Sequence, residues 1–258
     1  MTNLSKEPIQ LDRRRTLKMA AHTALISALA LDTAWAQGHP AVMAEWARGL
    51  ESINESAHWG AVAQEHWLTE VERLNASVPV ADLAQYIDLD NAVRAFTYAT
   101  AFPEFASVTL PDTAGRSAGA RAWTTRLIGV RRGASALPHV HNHWVEAHLI
   151  MSGSFQIRTY DRVLDLPDAA VLRPVRDDLA SVGGQVLMSD ERENCHWFVA
   201  QEDRSISFFV SVTGVPAEAQ SPNQLPHTFV DPTVAAQSDG TIVAPALSFA
   251  DARAKFDP

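Results

Sequence analysis

Lysine is nearly absent from this chain of 258 residues, occurring only at Lys6, Lys18 and Lys255. Schiff-base or pyridoxal-phosphate chemistry would therefore rest on a residue three from the C-terminus, and that class is set aside. Cysteine occurs once, at Cys195, so no intramolecular disulfide can form and stability must come from packing, with a bound metal as the other available source. Net positive charge is missing too: the formal charge of −9 argues against nucleic acid or anionic lipid as a partner, since both need clustered Lys and Arg. The longest modest apolar stretch, Met19 to Leu31, is interrupted by His22, Thr23 and Ser27, and falls short of the ~20 apolar residues of a membrane-spanning helix. Internal repeats, low-complexity tracts and phosphate-cradling Gly-rich loops are lacking. With 47% apolar residues, what remains is a globular chain long enough to bury a sizeable core.

Residues 1–36 read as an address. The run Asp12-Arg13-Arg14-Arg15-Thr16-Leu17-Lys18 resembles the twin-arginine export motif S/T-R-R-x-F-L-K, with Asp12 at the Ser/Thr position and Thr16 at the Phe position. The apolar stretch follows, and Ala34-Trp35-Ala36 supplies a small-x-small cleavage pattern that leaves Gln37 as the mature N-terminus. The competing reading is a basic, amphipathic first helix. The resemblance implies a periplasmic or exported protein that crosses already folded, with its metal loaded beforehand, and no membrane association after cleavage.

Residues 37–119 form a helical region and linker. Met43, Trp46, Ala47 and Leu50 lie at i, i+3, i+4 and i+7, and Ala63, Trp67, Val71 and Leu74 repeat at three to four residues. Pro79 opens a short helix through Tyr86, and Asp90 is placed to cap another through Ala101 with Val93, Phe96 and Thr97 as its buried face. His58 and His66 sit on helix flanks and are read as packed or solvated. Pro111 to Gly119 is loop chemistry before a change of period.

Residues 120–216 are read as a barrel. Trp123–Arg131, Ala147–Met151, Phe155–Tyr160, Ala169–Leu172, Gln185–Met188, His196–Ala200 and Ile206–Val212 are short, β-branched or aromatic, and separated by turn residues. Such a series without intervening helices indicates an antiparallel sandwich or barrel. Residues 217–258 are taken as an extension packing on it.

Within the barrel, His139 and His141 are two apart, so on an extended strand both imidazoles project from one face and can grip one ion. Glu146 is opposite in parity to His141, so the chain must turn between them, with Asn142 as the turn residue and His143 solvated there. His148 and Ile150 share the face of Glu146, which makes His148 a neighbour of the ion or a substrate contact. Cys195 alternates with His196 and points away.

The spacing of Gly133, His139, His141, Glu146 and Gly153, G-x5-H-x-H-x4-E-x6-G, resembles the first motif of the cupin family. That resemblance implies a mainly β fold, a jelly-roll barrel of the double-stranded β-helix type behind the α-helical N-terminal region, and a mononuclear metal on His139, His141 and Glu146. His196 offers the fourth ligand. Around it the second cupin motif, G-x5-P-x-G-x2-H-x3-N, is altered: Asp190 and Arg192 stand where Pro and Gly are expected, the spacing is one longer, and Ala200 replaces Asn. Three imidazoles and one carboxylate suit Fe(II) or Mn(II), with zinc, nickel and copper able to bind. A metal-free barrel with buried, hydrogen-bonded histidines is the alternative.

The stretches Leu127 to Asp161 and His196 to Val212 also look like the cupin-type thiol dioxygenases, through the HxH pair and the turn at Ser152–Ser154. Those enzymes use three histidines without a glutamate, and their Ser-x-His-x-Tyr is here Ser207 to Val212 without His or Tyr. The expectation is thus a dioxygenase of a small organic substrate, with His148, Arg158 and Tyr160 as catalytic or substrate-contact residues. An outward-facing strand position is the other reading of Arg158 and Tyr160. A redox-neutral lyase or isomerase and a non-catalytic binding or storage module stay open, as does a homodimer through sheet edges.

Overall fold

The computed structural model describes residues 39–111, 123–216 and 228–257. The chain divides into Met1–Val42, of which only residues 39–42 are described, and Met43–Pro258, which carries the features below. The expected export signal at 1–36 lies outside the described residues, as do residues 112–119 of the expected linker. Among the described residues no helix is long and apolar enough to cross a membrane.

Helices come first, as expected. α1 (His39–His58) buries Met43, Trp46, Ala47 and Leu50, the stripe its periodicity predicts. Trp46 packs on Phe208 of the sheet behind it, with ring centroids 6.1 Å apart. α2 (Gln64–Ala76) buries Trp67, Leu68 and Val71. Ala63, expected on that stripe, is the exposed N-cap, and Gln64 turns inward instead to bond Asp190. α3 (Val80–Tyr86) follows Pro79 as read. The helix expected from Asp90 to Ala101 shrinks to α4 (Leu89–Ala92). Its continuation fails because Glu104 takes the backbone N–H groups of Thr97 and Tyr98 at 3.1 and 2.8 Å, and Tyr98 adopts φ 53°, so the chain turns out of the helix. Phe96 then lies flat on Gly129, where a Cβ would meet its ring at 2.4 Å.

Eleven strands follow among the described residues, paired antiparallel in two sheets. The first sheet runs β1 (Glu104–Ser107), β2 (Trp123–Val130), β9 (Ser205–Thr213), β4 (Trp144–Ser152), β7 (Gln185–Met188). The second closes on itself in the order β10 (Thr228–Val230), β11 (Ile242–Leu247), β6 (Ala169–Ser181), β5 (Ser154–Leu166), β8 (Cys195–Ala200), β3 (Ser135–Val140). The expected class, mainly β with a β-barrel behind a helical lead-in, is the one observed. Gly153 makes the turn from β4 to β5 at φ 67°, and a Cβ there would press within 2.9 Å of the Ser205 backbone. Only glycine satisfies both demands.

Two boundaries shift. β1 lies ahead of residue 120 yet pairs with β2, and residues 228–247 do not merely pack on the barrel: β10 and β11 are two of the ring's six strands. β10 pairs with β3 and β11 with β6, so without them both strands would be open edges. α5 (Phe249–Phe256), capped by Ser248, then lays Ala252 and Phe256 against Leu137 of β3.

Among the described residues, two apolar clusters lie on either side of β3 and β8. One lies between the sheets and contains Ile128, Ile150, Phe155, Ile157, Phe198 and Phe209. The other draws a residue from every strand of the ring, Val140, Tyr160, Leu172, Cys195, Val230 and Ile242 among them, and so fills its inside.

Candidate metal centre

β3 and β8 pair directly at His139 and His196, whose ring centroids are 4.2 Å apart. Their sequence neighbours Val140 and Cys195 point into the ring, so alternation sends both imidazoles to the opposite side, toward the space between the sheets. His141 stands one residue past the end of β3, and its ring lies 5.9 Å from that of His139. From the facing sheet β4 contributes Glu146 and His148, which share a face as read.

Five donors converge. One ligand atom each from His139, His141 and His196 lie within 4.8 Å of one another, and the same holds for Glu146, His148 and His196. Glu146 joins the two groups: one oxygen is 2.9 Å from His148 Nε2, the other 3.7 Å from His141 Nε2. Of the expected set, His139, His141 and His196 form one group, while Glu146 shares the other with His196 and His148. His143 is in the turn, at φ 55°, where its backbone N–H bonds Asp190. His58 belongs to neither donor group and bonds the Thr213 carbonyl.

The electrostatics fit a cation. Burial pushes the Glu146 carboxyl up, but the His148 hydrogen bond and the neighbouring imidazoles of His148, His141 and His139 outweigh it and hold it below its ordinary value. Burial, and then the other three imidazoles, push His196 well below the ordinary histidine range, so it stays neutral with a lone pair to give. A charged carboxylate buried among imidazoles is a donor set that suits a divalent transition metal.

The turn carrying the altered second motif explains how His141 is aimed. Asn194 accepts from the His141 backbone N–H at 3.3 Å and donates to its carbonyl at 2.7 Å and to the Ser189 carbonyl at 3.2 Å. Ser189 Oγ accepts from the N–H groups of Glu191 and Arg192, and Glu193 adopts φ 52°. Side-chain bonds thus shape a turn that Pro and Gly would otherwise make, and the extra residue places Asn194 against His141. Arg162, in a buried two-pronged pair with Asp165 at 2.6 Å, reaches the His141 carbonyl and the Asn142 side chain from the other side. His148 is fixed as firmly: it stacks on Phe209 at 5.4 Å, meets the edge of Phe198 at 4.7 Å, and bonds Ser207 Oγ through Nδ1 at 3.0 Å.

The donors His139, Glu146, His148 and His196 line a cavity of about 360 Å³. Its walls are mostly apolar, with Trp144, Phe198, Phe209 and Phe229 deeper in and Phe102, Phe105 and Phe249 toward the mouth, each of these three at least 40% exposed. The segment before the barrel and the C-terminal helix therefore build the entrance, a role their sequences did not announce.

Arg158 and Tyr160, expected as substrate contacts, do not line this cavity. Across β5 and β8 it is Thr159 that faces His196, while Arg158 faces Trp197 and Tyr160 faces Cys195. Parity corrects the expectation: Arg158 lies over the Trp197 ring at 4.5 Å and pairs with Asp177, in a separate groove. Tyr160 lines that groove and reaches the ring's interior, where burial raises its hydroxyl to about 12. Arg126, which the sequence reading passed over, does line the cavity.

No protein-family profile matches the chain, and no curated protein matches it. Solved structures do. KdgF from Halomonas sp. is similar at 16% identity, over 35% of this chain and 68% of that one, with a TM-score of 0.28. The cupin domain of Cnp3 from Schizosaccharomyces pombe is similar at 12% identity, over 43% and 64%, with a TM-score of 0.31. An oxalate oxidase is similar at 17% identity, over 48% and 57%, with a TM-score of 0.31. At such scores these likenesses carry no argument about chemistry, which rests on the residues themselves.

Proposed function

We propose that the chain is a metal-dependent cupin and an oxidoreductase, a dioxygenase of a small organic substrate, working with one divalent ion held by His139, His141, Glu146 and His196. The observation that supports this reading is the convergence of the buried Glu146 carboxylate with the imidazoles of His139, His141, His148 and His196 beside an apolar cavity. Burying a lone anion is costly, and a bound cation offsets that cost. An ion there, Fe(II) or Mn(II) before Zn(II), Ni(II) or Cu(II), would supply Lewis acidity and the means to bring dioxygen and substrate together. The chain's own residues do the rest. Phe198 and Phe209 exclude water and lock the His148 ring, and His148 in turn occupies one oxygen of Glu146 and leaves the other facing His141.

A second reading, a redox-neutral lyase or isomerase, is favoured by the Ser207–His148–Glu146 hydrogen-bonded chain, which can hold or pass a proton. Dioxygen uptake with a panel of small organic acids, alcohols and thiols separates the two. Turnover that stops under nitrogen supports the dioxygenase, and unchanged turnover overturns it in favour of the lyase. The proposal includes export by the twin-arginine route, with the ion loaded beforehand. Fractionation of cells making the full chain and an Arg13→Lys/Arg14→Lys variant tests it: the variant should stay in the cytoplasm, and equal export of both would refute it.

A further inference from the structure

Arg126 is the one lysine or arginine among the described residues that line the cavity, in a chain whose formal charge is −9. Its side chain makes no hydrogen bond or ion pair among the described residues, unlike those of Arg158, Arg162, Arg176 and Arg192, which pair with carboxylates. Its place is fixed by register: Arg126 on β2 faces Phe209 on β9, and Phe209 faces His148 on β4. Directly paired residues of antiparallel strands point to the same side, so the three form one row across the sheet on the cavity face. With about 4.8 Å between strands, the Arg126 backbone is roughly 10 Å from that of His148, with the Phe209 ring between them. The neighbouring hydroxyls Thr124 and Ser211 bond each other at 3.0 Å. The guanidinium is left as the strong donor at the outer end of an aromatic slot whose inner end holds imidazoles and a carboxylate.

We infer that Arg126 is the cavity's anion anchor and that the substrate is a small carboxylate with a flat apolar body, an inference that rests on the metal-centre reading above. The carboxylate pairs with Arg126 near the mouth, the apolar body lies against Phe209, and the far end of the molecule reaches the imidazoles. A guanidinium binds a carboxylate through two parallel N–H groups, which fixes direction as well as affinity. The acidic surface repels anions elsewhere, so the slot selects which end of the molecule enters first.

Titration calorimetry with the metal-loaded mature protein tests this, using 3-phenylpropanoate and the neutral 3-phenylpropan-1-ol as probes. The acid should bind more tightly than the alcohol. Arg126→Gln should weaken the acid about 10- to 100-fold and leave the alcohol unchanged, while Arg126→Lys should retain part of the preference. Metal content and circular dichroism of both variants should match wild type, showing that the loss is not a folding defect. The same titration on a metal-free His196→Ala protein separates this inference from the metal reading: a preference for the acid that persists there and still depends on Arg126 places the anion on the guanidinium rather than on an ion. A wild-type protein that does not prefer the acid, or an Arg126→Gln variant that binds it as well as wild type, overturns the inference.

Discussion

β3 and β8 each border two compartments, and adjacent residues of one strand serve opposite purposes. On the side between the sheets stand His139 and His196, and on the ring side stand Val140 and Cys195. One side gathers imidazoles and a carboxylate along a cavity, and the other is filled by aliphatic groups, a tyrosine and a thiol pushed far above its ordinary value by burial. The ring gains stability from packing. The cavity side gives up packing to hold polar groups that need a partner. Function and stability are thus separated by a single residue step along the strand.

The sharpest way to break this division is to damage the ring and look at the site. Leu172→Ala should cost about 2 to 5 kcal/mol in chemical denaturation, because the ring is tightly closed and cannot collapse onto the hole, while metal stoichiometry stays at the wild-type value. Loss of metal in parallel with stability would show the two compartments to be one. Asn194→Ala attacks the border from the other side. It releases the His141 backbone on both its N–H and its carbonyl, and metal affinity measured by chelator competition should fall about 10- to 100-fold. An unchanged affinity would mean that Arg162 alone aims His141.

A pH series sharpens the comparison further. His196 is held neutral in the folded protein, well below the ordinary 6.5, whereas in the unfolded chain it takes up a proton near that value. The unfolded state then binds more protons than the folded one, so stability of the metal-free protein is full above about pH 6.5 and declines as pH falls below it. Melting temperatures from about pH 8 to about pH 5.5 should show the decline, and His196→Phe should flatten it. Leu172→Ala should shift the whole curve down with its slope intact. The smallest effect belongs to α5: Lys255→Met, which removes a half-exposed partner from Asp231 and leaves that carboxylate its Thr233 hydrogen bonds, should lower stability by about 1 kcal/mol and leave metal binding alone.

Much of the site was legible because strand alternation is a strict rule. The two-residue step from Glu146 to His148, the turn at Asn142 and the turning of Cys195 away from the site follow from parity alone, and His196 follows from the residues of its strand. Arg158 and Tyr160 were misplaced for the same reason that Thr159 was passed over: the parity of β5 relative to β8 depends on register, and register is set by partners far along the chain. Arg126 could not be picked out, since a lone arginine on a strand has no signature until its row across the sheet is known. β10 and β11 were missed because residues 228–230 and 242–247 are short and carry Pro245, which suppresses the strand signal, and because their need arises from open edges elsewhere. The helix from Asp90 failed through a competing local bond, the Glu104 carboxylate on the Thr97 and Tyr98 amides.

We propose that the cavity side of β3 and β8 holds an ion and that the ring side does not. This is tested most directly by metal analysis of protein folded in the cytoplasm, comparing wild type with His139→Ala, His196→Ala and Cys195→Ala. Wild type and Cys195→Ala should hold about one divalent ion per chain, and the two histidine variants less than about a tenth of that. Equal metal content in all four proteins, whether full or empty, would contradict it.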